Sequence, residues 1–223
     1  MNSRVRSSLP ASDLCALAAR QLNHHFPDGE DVRPPDLSHA VRGALSRVEH
    51  CFPNVANRYF SDGSQACFDH LHGDQYAMWL YFLAREIHLA GGPPSVCKKL
   101  FLLNKSLHGC DIFFEVELPS VFLLVHPLGT VLGRARYGER LVVYQRCGVG
   151  SNRGAYPEIG SGVTMHPGSA VLGDARIGDG STIAAESLVL DRDVPAGSLY
   201  VGTPRDCVVT ARAPDHAIWR KPA

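Results

Sequence analysis

Six apolar residues recur at intervals of six without a break: Ile159, Met165, Val171, Ile177, Ile183 and Val189. Upstream, the same interval joins Val125, Val131, Tyr137, Val143 and Val149. Four residues after each downstream position stand Val163, Ser169, Ala175, Ser181, Ser187 and Asp193, all but the last small or β-branched. An α-helix turns every ~3.6 residues, so a period of six would scatter these side chains around its surface. The period suits short strands joined by tight corners. Each strand sends one apolar side chain inward, and small residues fit the crowded corners, where glycine also tolerates φ > 0. No such unit is stable alone, and stacked coils bury a continuous column. Between Val149 and Ile159 the step is ten, which inserts four residues around Ser151-Asn152-Arg153-Gly154.

The rest of the chain has a different composition. Eight of the 11 histidines precede residue 118, and 14 of the 21 glycines lie between 118 and 209. The expected domains are a helical N-terminal domain over 1–117, the repeat over 118–209, and a tail over 210–223. A first helix is expected from a Ser12 or Asp13 cap to about Phe26, with Leu14, Leu17, Ala18 and Leu22 on one stripe. Asp36-Leu37-Ser38 is expected to start a second, carrying Leu37, Val41, Ala44, Leu45 and Val48. A third spans Asp74 to Ala90 and stops at Gly91-Gly92-Pro93-Pro94, and a fourth runs from Pro94 or Ser95 through Leu107. Cys51 to Leu71 shows no clear pattern.

Lys+Arg and Asp+Glu are both 22, so the chain of 223 residues is formally neutral. That disfavours non-specific nucleic-acid binding, which needs a basic surplus. The longest apolar runs, Ala77 to Ala84 and Val121 to Val125, fall far short of the roughly 20 residues a membrane span needs. Arg4 and Arg6 lie near the N-terminus, but Asp13 and Arg20 interrupt any apolar stretch, so no secretory signal is expected. Seven cysteines without a CxxC are expected to be reduced thiols of a cytoplasmic protein.

The hexad run resembles the left-handed parallel β-helix of the hexapeptide-repeat acyltransferases, and the handedness is implied by that resemblance. The helical region ahead of it is similar to that of the serine O-acetyltransferases. The resemblance covers about residues 50 to 209. It is carried by Asp111-Ile112, His126 with Gly129 and Gly133, Gln145, Gly150, Pro157-Glu158-Ile159-Gly160 and Val201-Gly202-Thr203-Pro204. It implies an α+β protein that moves an acetyl group from acetyl-CoA to a hydroxyl by direct transfer.

That chemistry needs a base for the attacking hydroxyl, and histidine suits it because its unperturbed pKa is near 6.5. His126 and His166 are the histidines within the repeat. The resemblance makes His126 the catalytic base and Asp111 the carboxylate that orients its imidazole. Spacing alone leaves another reading open, in which His126 is a corner residue and Asp111 a helix-end charge. The resemblance also implies that acetyl-CoA lies along Gly150-Ser151, His166-Pro167 and Ala184-Ala185, with Gly202-Thr203-Pro204 near the adenine. His166 reads equally as a solvated corner residue, and Tyr144 and Cys147 read as packing. No P-loop or GxGxxG signature appears. No metal is expected: a hydratase of the same fold needs three histidines on zinc, which His126, His166 and His216 do not provide in pattern. The family's assembly implies a homotrimer or a dimer of trimers with sites between subunits.

The acceptor is less determined. Serine acetyltransferases carry an Arg-His pair before the proline that restarts the repeat, where this chain has Ala155-Tyr156-Pro157, and the residue before His126 is Val125 rather than Asp. Serine remains the first candidate acceptor and a sugar or secondary-metabolite hydroxyl the alternative, with a non-catalytic scaffold third. Five arginines and one acid, Glu139, lie between Arg134 and Arg153. Arginine grips carboxylate or phosphate bidentately, so Arg146 and Arg153 are candidate substitutes for the missing pair, beside Tyr156.

Overall fold

The computed structural model describes residues 5–212 and 218–220. The chain divides into two compact units, Met1–His108 and Gly109–Ala223.

Four helices dominate the first unit: α1 (Ala11–His25), α2 (Pro34–Cys51), α3 (Gly73–Leu89) and α4 (Pro94–His108). Each lies within a few residues of its expected span. The starts differ for local reasons. Pro10, not Ser12 or Asp13, holds the N-cap of α1, and no side chain caps it. α2 begins two residues before Asp36, because prolines at its first positions bring no N–H that needs a partner. Asp36 then sits in the first turn, and its carboxylate accepts the Arg33 backbone N–H at 3.2 Å. α3 packs against both α2 and α4, and residues 75–84 are buried all round it. The stretch without a sequence pattern holds two 3-10 turns and a strand, Ala66–Phe68, paired in parallel with Val5–Ser7. Its Phe52, Phe60 and Phe68 form an aromatic train that ends on Trp79.

The second unit is the expected parallel β-helix. Its short strands fall into three stacked sheets. One column runs Leu124, Val143, Met165, Ile183, Tyr200; a second Leu132, Val149, Val171, Val189; a third Tyr137, Ile159, Ile177, Val194. Three hexads therefore make one coil, as in the 18 residues from Ile159 to Ile177. Ile159, Met165, Val171, Ile177, Ile183 and Val189 all point inward, each 3% exposed or less. Corner residues adopt positive φ, among them Arg140, Arg146 and Glu186 where glycine would be easiest.

The first coil departs from the expected register by one residue. Leu124 pairs with Val143 and Leu132 with Val149, so Val125 and Val131 are not the inward residues. Val131 is 48% exposed and Leu132 1%. The unit also begins before residue 118. The Asp111 N–H donates to the Thr130 carbonyl at 2.9 Å, and the Leu132 N–H to the Asp111 carbonyl at 3.0 Å. These bonds run residues 109–111 alongside the first coil. At the far end, Val208–Ala211 pairs antiparallel with Ser198–Val201.

The four inserted residues form a small hairpin. Asn152 and Ala155 exchange backbone hydrogen bonds at 3.1 and 3.0 Å, with Arg153 (φ 49) and Gly154 (φ 82) between them. Two positive φ values define a type I′ turn, which favours Asn-Gly. Arg153→Asn is therefore expected to raise stability by roughly 0.5–1 kcal/mol, since an ordinary side chain at such a φ is strained. Chemical denaturation of the two proteins checks this, and a less stable variant would refute the turn assignment.

Candidate active site

His126 sits at a corner that is longer than its counterparts. From Leu124 to Leu132 the chain takes eight steps, where from Val143 to Val149 it takes six. Backbone hydrogen bonds locate the excess. The Val125 N–H donates to the Val143 carbonyl, as the Tyr144 N–H does to the Met165 carbonyl, so Val125 and Tyr144 are equivalent. The Arg146 N–H donates to the Leu128 carbonyl as the Gly168 N–H does to that of Gln145, so Leu128 and Gln145 are equivalent. The two extra residues are His126 and Pro127. His126 is exposed, at φ 49. Three residues beyond it, the Gly129 N–H donates to the Gly109 carbonyl at 2.9 Å, which begins the pairing that carries Asp111 alongside 129–132.

Asp111 borders a cavity of about 470 Å³ on the flank of this coil. Phe113, Glu115, Glu117, Gly133 and Arg134 also line it. The Arg134 guanidinium lies 5.6 Å from the centre of the Tyr156 ring, which is 44% exposed. Sequence reasoning missed Glu115 and Glu117 and left Arg134 undistinguished among five arginines. The repeat pattern carries no sign that 113–117 folds beside residues 131–135.

The expected carrier-binding residues separate into two groups. His166-Pro167, Ala184-Ala185 and Gly202 stack at one corner of successive coils. There the His166 N–H donates to the Ile183 carbonyl, the Glu186 N–H to that of Pro167 and the Ala184 N–H to that of Tyr200. The His166 ring is stacked on Tyr144, 5.3 Å between centres. Gly202 continues into Thr203-Pro204, a turn held by Asp206, whose carboxylate accepts from the Thr203 N–H and hydroxyl. Those bonds hold the Asp206 carboxyl below its ordinary range. Gly150-Ser151 lies at a different corner, where the Gly150 carbonyl accepts from the Gly173 N–H. Within one chain the two groups are not joined.

The arginines do not gather into a basic patch. Arg146 forms an ion pair with Glu186, reaching across the intervening coil at Gly168. Arg136 pairs with Glu158 at 3.8 Å, and Arg153 is at the hairpin tip. Glu139 fastens the chain entering the β-helix, accepting from the Ser120 and Val121 N–H groups. Cys147 is buried against the Met165 and His166 carbonyls, and burial pushes its thiol up, so it packs rather than reacts. Among the described residues no group of three or more His, Cys, Asp or Glu is placed to hold a metal, and no helix is long and apolar enough to cross a membrane. His216 lies outside the described residues.

No family model matches the chain. Its curated relatives include the serine acetyltransferase of Staphylococcus xylosus, 29% identical over 58% of this chain and 61% of the relative. Serine acetyltransferase 4 of Arabidopsis thaliana is 31% identical over 65% of this chain and 43% of the relative. The match thus spans about half the length of these relatives. Among solved structures, Neisseria gonorrhoeae serine acetyltransferase superposes with a TM-score of 0.70 at 21% identity, covering 91% of this chain and 79% of that one. The same bacterial enzyme in complex with serine gives 0.66 at 22%, over 86% and 82%. The fold of this chain is that of the serine acetyltransferases.

Proposed function

We propose that this chain, built on the serine acetyltransferase fold, is an acetyl-CoA-dependent O-acetyltransferase with serine as its acceptor. The observation that carries the reading is the His126-Pro127 insertion, which lifts an imidazole out of the corner in the coil that Asp111 flanks. His126 takes the proton of the acceptor hydroxyl as that oxygen attacks the thioester carbonyl. The carbon–sulfur bond then breaks, and the imidazolium returns the proton to the departing thiolate, leaving an acetyl ester and free CoA. Asp111 orients the imidazole and offsets its charge in the transition state.

The small residues Ala184, Ala185 and Gly202 leave their corner unfilled, which suits a thin pantetheine arm. Because Gly150-Ser151 lies at another corner, the full carrier groove is formed between two copies of the chain in a homotrimer or a dimer of trimers. The seven free thiols favour the cytoplasm, where cysteines stay reduced. The exposed Tyr156, standing where the family has an Arg-His pair, favours a sugar hydroxyl as the second acceptor to test.

Thiol release from acetyl-CoA tests the reading. L-serine at millimolar concentration is expected to release CoA in a protein-dependent way. Release with a hexose but not serine would transfer the assignment to the second acceptor, and release with no hydroxyl compound would end the transferase reading.

A further inference from the structure

We infer that Arg134 holds the carboxylate of the acyl acceptor and so determines which hydroxyl compounds enter. The inference rests on the acyltransferase reading above. Of the five arginines between 134 and 153, Arg134 is the one that lines the same cavity as Asp111. Arg146 is engaged by Glu186, and Arg153 stands at positive φ at the tip of a hairpin. Arg146 would have to leave Glu186 to reach an acceptor, and Arg153 does not line the cavity beside Asp111.

Arg134 needs no such change. The Tyr156 ring covers the guanidinium at 5.6 Å and restrains it, while a guanidinium keeps five N–H donors in its plane for a carboxylate fork. Tyr156 thus acts as a positioning residue in the place where the family carries its acceptor-binding pair. Glu115 and Glu117 put negative charge into the same cavity. One positive fork and two carboxylates in one space suit a small zwitterion, with carboxylate on Arg134 and ammonium toward the glutamates. A neutral sugar offers the Arg134 guanidinium no carboxylate to complete its fork.

Calorimetric titration of the full chain with L-serine and with L-serine methyl ester separates the possibilities. Arg134→Ala is expected to weaken serine binding about tenfold or more, the loss of a charged hydrogen bond. The ester, whose carboxylate is masked, should bind both proteins alike. Arg134→Lys should restore part of the affinity, and Tyr156→Phe, which keeps the ring, should retain most of it. In turnover, Arg134→Ala should raise the serine KM and leave kcat and the acetyl-CoA KM near wild type. If alanine lowers the melting temperature, Arg134→Gln replaces it. The assignment fails if wild type does not bind serine, if Arg134→Ala binds serine normally, or if serine and ester weaken together. Arg134-dependent serine binding without acetyl transfer by wild type would sink the transferase reading and leave the anchor standing.

Discussion

His126→Ala is expected to lower kcat by roughly 10²–10⁴, the usual loss for a general base, while acetyl-CoA affinity and the folded state persist. The side chain is exposed, so its removal opens no cavity. The remaining concern is backbone, because φ is 49 at this position. His126→Asn provides the control, since asparagine tolerates that conformation better than alanine does. Both variants should lose turnover together. Asp111→Asn should fall less far, or equally far if the imidazole needs the carboxylate to fix its tautomer. Initial rates at saturating acetyl-CoA and serine, with circular dichroism on the same samples, measure all three. Near-normal turnover in His126→Asn would remove His126 from the base role.

Leu132→Asp and Val131→Asp should differ in stability by about 3–5 kcal/mol, although the residues are adjacent and both apolar. Leu132 belongs to the inward column above Val149, and a carboxylate there would be buried without a partner. Val131 is 48% exposed, so a charge at that position remains in water. Denaturation midpoints of the two variants decide the register of the first coil. Equal losses would return Val131 to the core.

This pair also shows where the sequence was readable. From Tyr137 onward the six-residue period names the inward residues, because each strand contributes one side chain to a column and each corner has fixed length. The four-residue insertion at 151–154 left that reading intact, since a hairpin begins and ends at the same corner. The His126-Pro127 insertion misled it. Those two residues lengthen the corner while adjacent valines, Val125 and Val131, preserve an apparent interval of six. The helices were legible from their stripes, whereas Ala66–Phe68 was not, because a three-residue strand carries no period.

The candidate site divides in the same way. Asp111 and His126 could be named only through the family resemblance, since spacing alone left His126 readable as a corner residue. Arg134 could not be singled out, since its distinction lies in a cavity wall contributed by 113–117 and a ring twenty-two residues away at Tyr156. Linear charge counting grouped it with Arg136 and Arg146, which the fold turns toward Glu158 and Glu186.

The antiparallel strand Val208–Ala211 bears on solubility. A stack of parallel coils ends in open backbone donors and acceptors, the same edge that recruits the next coil within the molecule. Left bare, such an edge can template a neighbouring molecule and grow a fibre. Here the chain reverses after the Gly202-Thr203-Pro204 turn and occupies the edge of Ser198–Val201 with a strand running the opposite way. Its outward side chains are exposed, and its direction cannot be continued by another parallel coil. A segment that adds nothing to the hydrophobic column thereby closes the end of one of the three sheets.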